Sequence, residues 1–163
     1  MIKKTLVFLV FAFLFSNSIW AQNEGKIKNP DIRKIDRMLD SWHERAAVAD
    51  TTYFQLFANQ SVYLGTDAKE IWTAKEFKAL YMSYFLKGNA WNFKKKDRNI
   101  YLGDFGHYAW VDEILDTWMG LCRGAAVLEK NKDGEWRIKH YSLSVLVPNK
   151  IIKEYVKLLN RDE

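Results

Sequence analysis

Cysteine is all but missing from this 163-residue chain: Cys122 stands alone, so no intrachain disulfide can form. A lone thiol also excludes a Cys-x-x-Cys pair, and the histidines at 43, 107 and 140 show no paired metal-ligand spacing. There is no Gly-x-Ser-x-Gly nucleophile elbow and no glycine-rich phosphate loop. No metal and no cofactor is therefore implied. Long apolar runs are scarce too: Leu6 to Phe15 stops well short of the roughly 20 residues needed to cross a hydrocarbon layer. Excess charge is small. The formal +5 includes Lys3 and Lys4, and 20 acids are scattered among the 25 basic residues, which marks no nucleic-acid partner.

What is present begins with an N-terminal address. Lys3 and Lys4 precede the apolar run, and the polar break Ser16-Asn17-Ser18 leads to Ala21, the pattern of a secretory signal peptide cleaved after Ala21. The expected destination is the periplasm or the medium. No cysteine follows the break to carry a lipid, so no stable membrane anchor remains after cleavage. The layout is then a signal peptide over 1–21, a linker over 22–30, one domain over 31–150 and a helical tail over 151–163. A chain of this length buries one core.

Asn29 can cap a helix that accepts Pro30 in its first turn, and Ile32, Ile35, Leu39, Trp42, Ala46 and Ala49 recur at helical intervals. Asp50 can cap a short second helix through Tyr53, Phe54, Leu56 and Phe57. Ser61 to Leu64 reads as a short strand, and Thr73 to Glu76 as a capping box opening a helix with Phe77, Leu80, Tyr81, Tyr84 and Phe85 on its apolar face. The chain is extended from Trp91 to Leu102. Three more strand-length segments follow, Tyr108 to Trp118, Leu121 to Lys130 and Glu135 to Leu146, separated by tight turns, so they pair antiparallel as a meander. Helices gathered on one face of a curved antiparallel sheet make an α+β cone with a ligand-sized cavity.

Several segments evoke a family. Tyr63-Leu64-Gly65-Thr66-Asp67 with Ile71-Trp72, Ala109-Trp110-Val111-Asp112-Glu113, Cys122-Arg123-Gly124 with Val127-Leu128, and Trp136-Arg137-Ile138 leading to Val147-Pro148-Asn149 stand in a characteristic order. Over about residues 32–150 the chain resembles the SnoaL-like branch of the nuclear transport factor 2 superfamily. That resemblance implies a cystatin-like, dimer-prone α+β cone with a pocket between helices and sheet. It does not choose an activity, because the superfamily includes isomerases, cyclases, dehydratases, binding modules and scaffolds.

Titratable groups among apolar strand residues are the candidate chemistry. Odd positions from Ala109 to Thr117 read as an inward face carrying Glu113, whose pKa burial would raise toward neutrality, fitting it for acid or base work. The plain alternative is a salt bridge to Arg123 on the next strand. In the last strand Trp136 and Ile138 put even positions inside and send His140 to the cavity, yet Tyr141, Leu143 and Val145 are the apolar ones beyond it. Either both faces are covered or a bulge turns Tyr141 inward, and the loop after Lys130 leaves the facing of Arg123 open as well. Trp42 and Trp72 are candidate walls, and Asp67 either caps a turn or reaches the rim. His43 flanks the first helix's apolar stripe, and Lys94-Lys95-Lys96 suit a solvated edge strand.

The reading these residues support is an exported, homodimeric small-molecule-binding protein with a mostly apolar pocket. Its ligand would be a small apolar or aromatic molecule, held by Trp42, Asp67, Trp72, Arg123 and Tyr141. The rivals are a cofactor-independent isomerase, dehydratase or cyclase using Glu113 and His140, and a dimeric scaffold whose sheet face, with Leu143 and Val145, only mediates assembly.

Overall fold

The computed structural model describes residues 29–160, so the signal peptide, the linker up to residue 28 and the last three residues of the tail lie outside the described residues. The first helix, α1 (Pro30–Ala47), starts where Asn29 accepts the Asp31 amide at 2.9 Å, with proline taking a position whose N–H would be unpaired anyway. Its stripe of Ile35, Leu39, Trp42 and Ala46 is at most 1% exposed. Burying Ile35 and Leu39 contributes about 1.5–3 kcal/mol each. Asp50 caps a 3-10 turn at Thr51–Leu56 through the Thr52 amide, and Phe57 already belongs to the first strand, not to a helix. That strand, β1 (Phe57–Leu64), is longer than its apolar pattern suggested, because Gln60 takes a positive φ of 56° and interrupts the alternation.

A three-residue strand, β2 (Ile71–Thr73), pairs with β1 and leads into α2 (Ala74–Leu86), which the Thr73–Glu76 capping box opens. The meander follows as β3 (Lys94–Leu102), β4 (Tyr108–Thr117), β5 (Gly120–Lys130) and β6 (Trp136–Val145). These strands form one curved, open, six-stranded sheet in the order β2-β1-β6-β5-β4-β3. It is not wholly antiparallel: β1 lies parallel to β6. The long excursion from β1 through α2 and the meander provides the crossover that a parallel pair requires.

Two registers decide the site. The Trp118–Met119 turn pairs Thr117 with Gly120, which sets Glu113 opposite Gly124 and leaves Arg123 opposite Ile114. Between β5 and β6, Leu128 pairs with Ile138 but Val127 pairs with His140, so Lys139 is the extra residue of a bulge. Parity therefore switches, and Trp136, Ile138, Tyr141 and Leu143 are all buried on one face. A tail helix, α3 (Ile152–Leu159), ends the described chain with no buried residue. No helix among the described residues is long and apolar enough to cross a membrane.

Candidate functional site

Arg98 and Glu113 are direct cross-strand partners on β3 and β4, and both project under α1. Their side chains are 2% and 1% exposed. The Arg98 Nε donates to Glu113 Oε2 at 2.8 Å and Nη2 lies 2.7 Å from the same oxygen. The other carboxylate oxygen, Oε1, receives the Tyr141 hydroxyl at 2.9 Å and His43 Nε2 at 2.8 Å. Since a carboxylate only accepts, His43 carries its proton on Nε2 here. On its far side Arg98 Nη1 donates to Asp36 Oδ1 at 2.7 Å, to the Asp36 carbonyl at 3.0 Å and to Asp40 Oδ1 at 2.8 Å. Lys95 caps the same two aspartates. Gly124 makes the packing feasible, because a Cβ there would fall 2.1 Å from the Tyr141 hydroxyl and 3.0 Å from Glu113 Cγ.

Burial is the largest influence on Glu113 and pushes its pKa up, but the His43 hydrogen bond and the His43 and Arg98 charges together outweigh it and hold the pKa down at about 2. The expectation of a raised, near-neutral carboxyl is thus reversed. Glu113 is a clamped carboxylate, ionised throughout the physiological range. Tyr141 moves the opposite way: burial, then the adjacent Glu113 charge, push its hydroxyl well above the ordinary phenol range.

Beside this brace the sheet and α2 enclose an aromatic cleft of about 200 Å³. Tyr63, Phe77 and Leu143 floor it, each no more than 6% exposed, and Trp72, Tyr81, Trp91 and Phe93 wall it. Trp118 and Met119, on the β4–β5 turn, reach its mouth, and Gly65, Thr66 and Glu70 supply the polar edge. Trp72 meets Tyr81 at 85° with ring centres 5.8 Å apart, and Tyr81 meets Trp91 at 88° and 5.5 Å. A second, polar cleft of about 350 Å³ lies across the shared wall of Phe93, with Asp40, His43, Glu44, Asn92, Lys94 and Lys95 around it.

Of the residues singled out from sequence, Trp72 walls the aromatic cleft. Trp42 and Tyr141 do not: both are 1% exposed and pack edge to face at 4.7 Å beneath it, where Tyr141 also stacks on Tyr63. Asp67 caps its own turn by accepting the Lys69 amide at 2.8 Å. Arg123 is exposed on the outer sheet face, so it is not the partner of Glu113. His140 faces outward too, beside Val127, because the Lys139 bulge gives the inward place to Tyr141. Leu143, expected on an assembly face, is 4% exposed and points inward, and Val145, paired with the buried Cys122, lies on that same inner face, 43% exposed at the strand's end.

Sequence reading missed Arg98, Asp36, Asp40 and the role of His43. A signal existed, since positions 36, 40 and 43 run alongside the stripe 35, 39 and 42, and Arg98 alternates with Ile100 and Leu102. Glu70 carried no comparable mark.

A family model described as SnoaL-like domain matches residues 35–148. Among solved structures, an NTF2-like protein of unknown function from Pseudomonas putida KT2440 aligns with a TM-score of 0.59 at 12% identity, covering 72% of this chain and 88% of that one. A protein of unknown function with a cystatin-like fold from Nostoc punctiforme PCC 73102 gives 0.56 at 13%, covering 71% and 90%. A ketosteroid isomerase-like protein from Erwinia carotovora atroseptica SCRI1043 gives 0.54 at 16%, covering 74% and 99%. At such identities the likeness is one of fold. No curated protein matches the chain.

Proposed function

Because the chain belongs to the SnoaL-like domain family, whose model spans residues 35–148, we propose that it is an exported small-molecule-binding module using the aromatic cleft. The observation that carries this reading is the division of labour between two neighbouring clusters. At the centre of the ionic cluster the Glu113 carboxylate is sealed, only 2% exposed, and bonded on both oxygens. The aromatic cluster is open, with Trp72 and Trp118 at the surface of a concave space. At about 200 Å³ the cleft is smaller than the roughly 300–1,000 Å³ of drug-sized sites, which suits a ligand of one or two rings.

Acid–base turnover through Glu113 is the weaker reading. A general base works best with a pKa near the working pH, and a carboxyl held at about 2 behind three donor residues is far from that. His140, the other half of that mechanism, faces away from it.

Calorimetric titration with 2-naphthol tests the binding role. Saturable binding is expected, weakened about fivefold or more by Trp72→Ala, since stacking on an aromatic wall accounts for about 1 kcal/mol or more. The absence of saturable heat from 2-naphthol and from compact probes of the same cleft alike would reject the reading.

Homodimer formation is part of the proposal. Its support is the outer sheet face, where Tyr108, Trp110, Leu121 and Val127 are 38–53% exposed, more apolar surface than a lone sheet usually leaves to water. Sedimentation should give twice the chain mass, reduced to the monomer by Trp110→Lys with Val127→Lys; a monomeric wild type would remove this element. Export rests on Lys3, Lys4 and the Leu6–Phe15 run, and the mass of protein recovered from a producing bacterium should correspond to cleavage after Ala21.

A further inference from the structure

We propose that the aromatic cleft selects an organic cation, a small molecule bearing an alkylated ammonium group, with Glu70 as its counter-charge; this rests on reading the cleft as a small-molecule site. Glu70 is the one charged side chain in the lining. Among the described residues it pairs with no lysine, arginine or histidine, and its carboxylate accepts at Oε2 from the Asp67 amide at 3.2 Å. A carboxylate offers about four acceptor sites, so most of its capacity faces the cleft or its rim. Gly65 is what lets it fold there, because a Cβ at that position would lie 2.1 Å from Oε2.

The walls point the same way. Aromatic faces are electron-rich and attract cations, whereas an anionic ligand would meet both those faces and Glu70 with no basic group in the lining to balance them. The rings are also arranged for a compact group more than for a sheet-like one. Trp72, Tyr81 and Trp91 meet at 85° and 88°, so they form the corners of a box, while a flat neutral ligand would be served by parallel walls. Trp118 is 81% exposed, has no ring contact among the described residues, and stands at the mouth as a further face. A primary ammonium would have to exchange its hydration for three well-placed acceptors, and most of the lining is aromatic face. An alkylated ammonium needs none, which is why alkylation is part of the proposal.

The test uses the full chain and three probes: choline, its neutral carbon isostere 3,3-dimethylbutan-1-ol, and 2-naphthol, each titrated calorimetrically at low salt. Choline should bind about tenfold or more tightly than the isostere, and Glu70→Gln should close that gap. If 2-naphthol binds but choline is no tighter than its isostere, the cation proposal is overturned and the cleft stands as a site for neutral ligands. If none of the three binds, both readings fall. Should Glu70→Gln not fold, Tyr81→Leu keeps the carboxylate and removes the right-angled wall; an unchanged choline affinity in that variant also overturns the proposal.

Discussion

Replacing Arg98 by methionine should be among the most damaging single changes available to this domain, and its effect should depend on pH in a defined direction. Methionine fills much of the volume of the arginine stem, so packing is largely kept and the charge is isolated as the variable. What is lost is the pair of contacts to Glu113 Oε2 at 2.7 and 2.8 Å and the link from Nη1 to Asp36 and Asp40. Glu113 then remains 2% exposed with only His43 and Tyr141 for company. Removing one partner of a buried ion pair costs about 3–5 kcal/mol, most of it the cost of the stranded charge.

The native carboxyl sits at about 2 against an ordinary value of 4.5, so its folded pKa is depressed. A depressed carboxyl stabilises the fold above its unfolded pKa and loses that contribution as pH falls from about 4.5 toward 2. For a shift of this size the contribution is about 3 kcal/mol. Urea unfolding followed by tryptophan fluorescence should therefore show the wild type losing about that much between pH 6 and pH 3 or below, and Arg98→Met losing most of it already at pH 7 with a flatter acid limb. Arg98→Lys should not restore stability, since one ammonium cannot fork between Glu113 and the two helix aspartates. A variant within about 1 kcal/mol of wild type at pH 7, or one with an unchanged acid slope, would refute the brace.

Two further outcomes follow from the same geometry. Gly124→Ala should cost about 1–3 kcal/mol in urea unfolding because its Cβ would overlap the Tyr141 hydroxyl; combining it with Tyr141→Phe should recover part of that loss, and strict additivity would show that the contact is not the cause. Arg123→Ala and His140→Ala should leave 2-naphthol affinity within about twofold of wild type by calorimetry, because both residues lie on the outer sheet face; a tenfold loss in either would move the site.

Much of the fold was legible because its signals are local. Asn29 with Pro30, Asp50, and the Thr73–Glu76 box name the helix starts in chemistry that involves at most four residues, and each cap is made as read. The meander was legible for a related reason: tight turns leave antiparallel neighbours no alternative. What failed was whatever needed a partner far along the chain. The parallel pairing of β1 with β6 brings residue 63 beside residue 141, and no local pattern announces it. Alternation alone turns Glu113 inward, yet its partners, at 43, 98 and 141, come from a helix and two strands. The nearer Arg123 is one step of register away, opposite Ile114, and so faces the other side of the sheet.

The bulge at Lys139 shows how such a step acquires chemical consequences. Without it, alternation from Trp136 and Ile138 would carry His140 inward and Tyr141 out to the sheet's solvent face. Imidazole in that position would give Glu113 a second histidine neighbour and no phenol. One inserted residue replaces it with a hydroxyl whose pKa is pushed well above the phenol range, which donates a hydrogen bond and holds its proton. The same insertion stacks Tyr141 on Tyr63, a floor residue of the aromatic cleft, at 5.6 Å. Ionic brace and aromatic cleft are thus joined through two rings in contact. In the proposed site, a Tyr141 fixed by Glu113 would help hold the Tyr63 floor in shape before a ligand arrives, and a preorganised site loses less freedom on binding.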